Sequence, residues 1–282
     1  MGRDINVSSP FYTAVMTPMS PDESATTLKP GDSYVQSFAR GLSVIRAFGA
    51  DAPRQTLTEV ARRCGLTRAG ARRILLTLQT LGYVRAEGRL FELTPKILDL
   101  GFAYISSQPL WQFAEPLVLQ LSSDLKESSS ISVLDGGDIV FVVRIPARKV
   151  MTTTLGIGSR LPAWSTAMGR VLLAALPPEE RDALIDRAEL TPYTPRTVRT
   201  REDLRAQVEQ ARRQHWSLVD QELEDGVVSI AVPITGRDGK VVAAINLSTH
   251  ANRTSPALLV EQGLPRLQET AQSLSRLLQI KG

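Results

Sequence analysis

The feature that most constrains this chain lies between Thr56 and Gly82, where an apolar period of about 3.6 residues runs twice with only a Cys-Gly-Leu break between. Thr56-Leu57-Thr58-Glu59 is a capping box, in which each end residue satisfies the other's backbone amide, so a helix opens there and closes at Gly65. A second helix opens at Thr67 and runs to about Leu81, stopped by Gly82. Val60, Ala61, Cys64, Leu66, Ala71 and Ile74 put small or apolar groups where two steeply crossing helices must touch, and Gly65 can take the positive φ of the turn. This pattern is a helix-turn-helix. Cys64 reads within it as a buried packing residue, because only the flanking arginines would lower its pKa.

On the second of these helices Ala71, Ile74, Leu75 and Leu78 form the inward stripe. At about 100° per residue, Ala69, Arg72 and Arg73 fall on the opposite face, with Arg68 at its edge. An ordinary amphipathic helix mixes signs on its outer face; this one has three arginines and no acid. The planar guanidinium fork matches O6 and N7 of guanine, or two phosphate oxygens. The Thr67 hydroxyl and the free amides at the helix start can hold a phosphate without reading sequence. Residues 83–93 read as two short strands around a Glu87-Gly88 turn, and Arg85 and Arg89 beside it fit a wing along the DNA backbone or minor groove. Arg40, on the preceding helix, completes the set of candidate DNA contacts. Gly70 stands out, since glycine inside a helix costs about 1 kcal/mol unless the backbone passes close to a neighbour.

The charge distribution agrees. Residues 34–107 hold ten Arg and one Lys against five acids, residues 1–33 are net negative, and the rest is balanced, so the whole +4 excess sits in one short segment. A basic module joined to a neutral one is the electrostatic footprint of nucleic-acid binding.

Residues 1–33, rich in Pro, Ser and Thr without an apolar period, are expected to form a disordered tail. Val35, Phe38, Leu42, Ile45 and Phe48 define a helix ending near Gly49, and Pro95 opens a connector helix over 97–106. From residue 109 the pattern is mixed. A helix carries Leu117, Leu121 and Leu125, and a hairpin over 131–134 and 139–145 closes at Asp135-Gly136-Gly137-Asp138. A strand is expected near 151–155, with helices over 165–176 and after Pro178 and a Thr200-capped helix to Gln214. Strands 227–234 and 241–248 flank a turn, and a last helix covers 255–278. Adjacent hairpins imply an antiparallel sheet with helices packed on one side, so the fold class is α+β. The expected parts are the tail (1–33), a winged helix-turn-helix domain (34–94), a linker helix (95–107) and a second domain (108–282).

The single Cys excludes a disulfide framework and a multi-thiolate zinc site, and neither His215 nor His250 belongs to a metal-spaced cluster, so no metal or cofactor is expected. The longest apolar runs, 171–176 and 241–245, fall far short of the ~20 residues a membrane span needs, and the N-terminus lacks an apolar signal region. Cytoplasmic location without membrane association is the expectation. No G-x-S-x-G elbow or phosphate-binding Gly-Lys motif is present, and Asp220, Glu222, Glu224 and Asp225 read as a solvated acidic loop.

Several long motifs in fixed order carry a resemblance. They are SFARGLSVIRAF (37–48), LTEVARRCGLTRAGARRILLTLQTLGYV (57–84), LTPKILDLG (93–101), IVFVVRIPARKVMTTTLGIGSRLPAWSTAMGRVLLA (139–174) and VDQELEDGVVSIAVPITGRDGKVVAAINLS (219–248). From Tyr34 onward the chain resembles IclR-type bacterial transcriptional regulators. SRLPAWSTAMGRVLLA is similar to the branch that controls aromatic-acid catabolism, including protocatechuate and β-ketoadipate pathway genes. The resemblance implies a winged helix-turn-helix, a connector helix and a GAF-like or profilin-like effector-binding domain. It also implies dimers or dimers of dimers on palindromic operators, and a small organic acid as effector. It maps the effector pocket onto Val150, Thr153, Leu161, Ala167 and Met168 on one side and Val227, Ser229, Asn246 and Ser248 on facing strands. Where other members have Cys this chain has Ser229, so thiol or metal chemistry is not expected there.

Trp164, Ser165 and Thr166 join that set, because the hydroxyls and the free amides of the helix they open make an anion site that suits a carboxylate. Plain alternatives stand beside these assignments: core packing for Trp164, a solvent-facing sheet surface for Ser229, Asn246 and Ser248, and simple solvation for Arg144, Arg148 and Arg160, which could otherwise counter a carboxylate. Two other functions fit fewer of the residues, a metabolite-binding module whose basic segment meets protein or RNA, and a small-ester hydrolase using Ser165.

Overall fold

The computed structural model describes residues 34–107, 109–147 and 155–281, so the tail at 1–33 and nearly all of the strand expected near 151–155 lie outside the described residues. The described chain forms two compact units that divide between Ser107 and Pro109.

In the first unit α1 (Gln36–Arg46), α2 (Leu57–Arg63) and α3 (Arg68–Thr80) surround a core of Val44, Phe48, Val60, Leu75, Leu78 and Val84. The capping box is closed. Glu59 N donates to Thr56 Oγ1 at 3.3 Å and Thr56 N donates to the Glu59 carboxylate at 2.7 Å. The Thr56 amide first, and then the Thr56 hydroxyl donating to the same carboxylate at 2.8 Å, hold the Glu59 carboxyl below its ordinary range. Gly65 makes the turn at φ +62°. Cys64 is half-buried rather than buried; its thiol donates to the Ser43 carbonyl at 3.5 Å, and burial raises its pKa. The close neighbour of Gly70 is the cap itself, since a Cβ there would lie 3.2 Å from Thr67 Oγ1.

Beside the expected wing strands β2 (Val84–Glu87) and β3 (Leu90–Leu93) lies β1 (Arg54–Thr56), in the antiparallel order β1-β3-β2. At three residues, β1 shows no alternation to find in the sequence; pairing of Thr56 with Leu90 and Arg54 with Glu92 defines it. A 3₁₀ turn (Pro95–Ile97) leads into α4 (Leu98–Ser107).

The second unit runs α5 (Pro109–Leu125), β4 (Ser128–Asp135), β5 (Asp138–Ile145), β6 (Arg160–Pro162), α6 (Ala167–Ala174), α7 (Pro178–Arg187), α8 (Arg201–Gln214), β7 (Ser217–Asp220), β8 (Val227–Thr235), β9 (Val241–His250) and α9 (Leu264–Lys281). One turn of helix and a π turn, Leu259–Gly263, precede α9, where a single uninterrupted helix was expected. The six strands form one antiparallel sheet in the order β6-β5-β4-β9-β8-β7. The short edge strands β6 and β7 were not anticipated, for the same reason as β1. The helix expected over 165–176 is shorter at both ends, because Ala163–Ser165 forms a 3₁₀ turn and Thr166, with extended backbone, caps α6.

The expectation of helices on one side of the sheet is wrong. Ile230, Val232, Ile234, Ile245 and Leu247 are fully buried on one face, where a Cβ on Gly263, at the end of the π turn, would lie 3.3 Å from Leu247 and the Thr235 amide donates to Ser275 of α9 at 3.0 Å. The opposite face packs Ala231, Ala244 and Ser132 against α6, and Ser132 Oγ donates to Met168 Sδ at 3.2 Å. Strands covered on both faces lose the apolar-polar alternation that would reveal a single cover, as VVSIAVPI in β8 does.

Gly169 fixes how α6 meets the turn before it, because a Cβ there would overlap the Ala163 carbonyl. Gly169→Ala is expected to destabilise the second unit by about 3 kcal/mol or more, whereas Gly70→Ala should change stability by less than about 1 kcal/mol, helix propensity offsetting a slightly compressed cap. Urea unfolding of the two variants measures the contrast.

Candidate functional site

Two surfaces carry chemistry, one in each unit. On α3, Arg68, Ala69, Arg72 and Arg73 are all exposed, and none of the three arginines has a carboxylate partner among the described residues. Their neighbours are different. Arg63 is held by Asp51 at 2.9 Å, Arg54 pairs with Glu87 and lies 3.4 Å from Glu92, and Arg85 reaches Glu92 at 2.5 Å. Arg85 is therefore partly neutralised, while Arg89, past the Gly88 turn at φ +61°, is exposed without an acidic partner among the described residues. Among the described residues α3 thus carries the densest group of unpaired cations, while Arg89 at the wing tip, Arg46 on α1 and Arg62 on α2 are also exposed without a salt-bridge partner. Thr67 Oγ1 accepts the Gly70 amide at 3.1 Å, which leaves its hydroxyl proton for a phosphate. Arg40 is exposed on the separate element α1.

In the second unit a cavity, partly open to solvent, lies between α6 and the sheet. Leu161, Ser165, Thr166, Ala167, Met168, Val227, Ser229, Asn246 and Ser248 all line it. Val150, Thr153 and Arg148 lie outside the described residues. Trp164 does not line it; the indole is buried in the core and stacks on Tyr193, with ring centroids 5.8 Å apart. A residue beside a turn shows no helical phase, so its direction was not legible in sequence.

Among the described residues Ile139, Phe141, Arg144, Leu155, Val219, Leu223 and Glu224 also line it. The alternation of Ile139, Phe141 and, beyond the bulge opposite Ile131/Ser132, Arg144 could have indicated one face of β5.

The hydroxyls assigned to an anion site are engaged locally. Ser165 Oγ donates to the Pro162 carbonyl at 3.2 Å, and Thr166 Oγ1 accepts the Gly169 amide at 3.0 Å. With its proton on a carbonyl and not on a base, Ser165 is not arranged as an activated nucleophile. The cation in the wall is Arg144, whose guanidinium donates to Ser130 Oγ at 3.2 Å and sits 5.4 Å from the Phe141 ring centre. Burial pulls its pKa below the usual guanidinium range, so a bound anion would offset the cost of desolvating it. Arg160 faces away from this role, held by Asp135 at 2.7 Å and Asp138 at 3.1 Å.

The acidic loop is not uniformly solvated. Glu222 is buried, and both its oxygens accept from Arg170, which is fully buried on α6, at 2.8 and 2.6 Å. Arg170 Nε also donates to the Trp164 carbonyl at 3.0 Å, and the Val198 amide donates to Glu222 at 3.3 Å. Sequence reasoning missed Arg170, one charge inside an apolar run. Among the described residues no cluster of His, Cys, Asp and Glu could hold a metal, and no helix is long and apolar enough to cross a membrane.

A winged helix-turn-helix with an acid-free arginine face, in one chain with a cavity-bearing α+β unit, defines a DNA-binding transcriptional regulator. Comparison with known proteins agrees in detail. Residues 37–88 match the IclR helix-turn-helix domain, and 102–276 match the bacterial transcriptional regulator IclR C-terminal model. The chain belongs to the IclR family. It is 39% identical to the Pca regulon regulatory protein of Pseudomonas putida, over 94% of this chain and 92% of that one. A putative transcriptional regulator from Rhodococcus sp. RHA1 has the same fold, with a TM-score of 0.81 and 47% identity, covering 88% of this chain and all of the other. The inducer-binding domain of an Acinetobacter PobR double mutant, solved with 3-hydroxybenzoic acid, is 32% identical with a TM-score of 0.55, covering 59% of this chain and 97% of its own.

The buried ion pair makes a clear prediction. Glu222→Leu alone should cost about 3–5 kcal/mol by stranding the Arg170 charge, while Arg170→Met with Glu222→Leu should recover most of that loss. Unfolding of the single and double variants measures the difference.

Proposed function

We infer that this regulator binds a palindromic operator as a dimer or dimer of dimers, with each α3 in a major groove and each wing tip against the backbone or minor groove. The single observation that carries this reading is the set of Arg68, Arg72 and Arg73, exposed on one helix face without a carboxylate partner among the described residues. Residues 34–94 act as the DNA-binding domain, 95–107 as the linker and 108–282 as the effector-binding domain, and the protein works in the cytoplasm, where its operator is. Self-association is supported within the first unit by large apolar side chains on the surface: Phe38 on α1 and Leu98 and Phe102 on α4 are each about two-thirds exposed.

The cavity takes a small organic acid, either an aromatic acid or a β-ketoadipate-pathway intermediate. Arg144 in an otherwise mostly apolar wall supports it, as do the Pca regulon relative and the hydroxybenzoate held by the PobR domain. Acid binding changes operator affinity or activation. The protein is not an enzyme.

Selection from random fragments of the source genome should enrich a palindrome whose half-sites lie about one helical turn apart. On that fragment Arg72→Ala should weaken binding by roughly tenfold to a hundredfold, and the wild-type affinity should fall with salt at a log-log slope near 0.9 per phosphate neutralised. Anisotropy titrations at several salt concentrations read both; unchanged affinity for Arg72→Ala would remove α3 from the recognition role.

A further inference from the structure

The outward face of α3 is not wholly basic. Leu76 is 40% exposed, and unlike its neighbours Ile74 and Leu75 it takes no part in the core of the first unit. At about 100° per residue, seven positions return a helix to within about 20° of its starting direction, so Leu76 stands in line with the exposed Ala69. Arg72 and Arg73 flank that line, one turn before Leu76. Along the helix the outward stripe therefore runs from a methyl group, between two guanidiniums, to a leucine. An exposed leucine is ordinary by itself. This one is set apart by its place among arginines that have no carboxylate partner among the described residues.

Those surroundings define what can cover Leu76. Its partner must be anionic around a small apolar group, which is how the DNA major groove is built. The flank of Leu76 beyond Arg73 adds no donor to the face, because Thr77 Oγ1 donates its proton to the Arg73 carbonyl at 2.9 Å and Thr80 Oγ1 to the Leu76 carbonyl at 2.9 Å. The apolar feature in a major groove is the C5 methyl of thymine; the other bases present hydrogen-bonding groups at their edges. We propose that Leu76 is a specificity-determining residue that reads a thymine in each half-site through its C5 methyl, beside the contacts made by Arg72 and Arg73. Burial of the methyl against the leucine removes apolar surface of both from water. This rests on α3 lying in the major groove, and it adds to the arginine contacts a position in the operator that is read without a hydrogen bond.

The probe is a duplex enriched by the full chain from a random double-stranded library. Each thymine of its half-sites is replaced in turn by deoxyuridine, which removes the methyl and keeps O4 and the base pairing. At one thymine or more per half-site the unaltered chain is expected to lose affinity roughly threefold to fivefold. Leu76→Ala should bind the thymine duplex more weakly by a similar factor, and the penalty at that same thymine should vanish. Its log-log salt slope should match that of the unaltered chain, because no phosphate contact is removed. Should Leu76→Ala fail to fold, Leu76→Gln, which also removes the apolar branch, takes its place in the same scan. Full affinity at every deoxyuridine position overturns the role of Leu76 and leaves α3 in the groove. A penalty that persists unchanged in the folded variant does the same. Arg72→Ala on the same duplex tests the reading beneath: affinity equal to that of the unaltered chain overturns both.

Discussion

A guanidinium with no access to solvent organises the second unit. Arg170 lies on α6, yet its partners come from two other stretches: the Trp164 carbonyl before the helix, and the Glu222 carboxylate after β7, which in turn holds the Val198 amide. Two charges removed from water are tolerable only when paired with good geometry and further hydrogen bonds. Here both conditions are met. The helix that carries cavity residues Ala167 and Met168 is thereby fixed to the loop that carries Leu223 and Glu224. Two parts of the wall of one cavity are joined by a contact that does not itself line it.

The first unit solves a different problem. Its helices must present cations outward without losing them to neighbouring acids. The acids that are present are used elsewhere: Asp51 on Arg63, Glu92 on Arg85, and Glu87 and Glu92 on Arg54. Those exposed pairs add little stability. Their effect is on the pattern of charge, since they neutralise Arg54, Arg63 and Arg85 and leave the three arginines of α3 as the densest group of unpaired cations among the described residues.

The first unit was largely legible in the sequence, because its signals are local. A capping box, a positive-φ glycine and a one-signed helix face each depend on residues within a turn or two of one another. The cavity was legible only in part. Ser229, Asn246 and Ser248 came from resemblance to relatives, while spacing alone left them equally suited to a solvated face. Arg170 and Trp164 were missed or misplaced because their surroundings come from residues far away in the chain. Glu222 looked like one acid in a solvated loop for the same reason.

The sequence by itself determined where the helices of the first unit begin and end, which of its residues point outward and that their charge is basic, since helical phase and capping are short-range geometry. Only the tertiary structure decided that both faces of the six-stranded sheet are covered, and that a lone charge in an apolar helix meets a carboxylate 52 residues on. Burial and hydrogen-bond satisfaction are properties of groups that meet across the fold, and a periodicity read along the chain has no access to them.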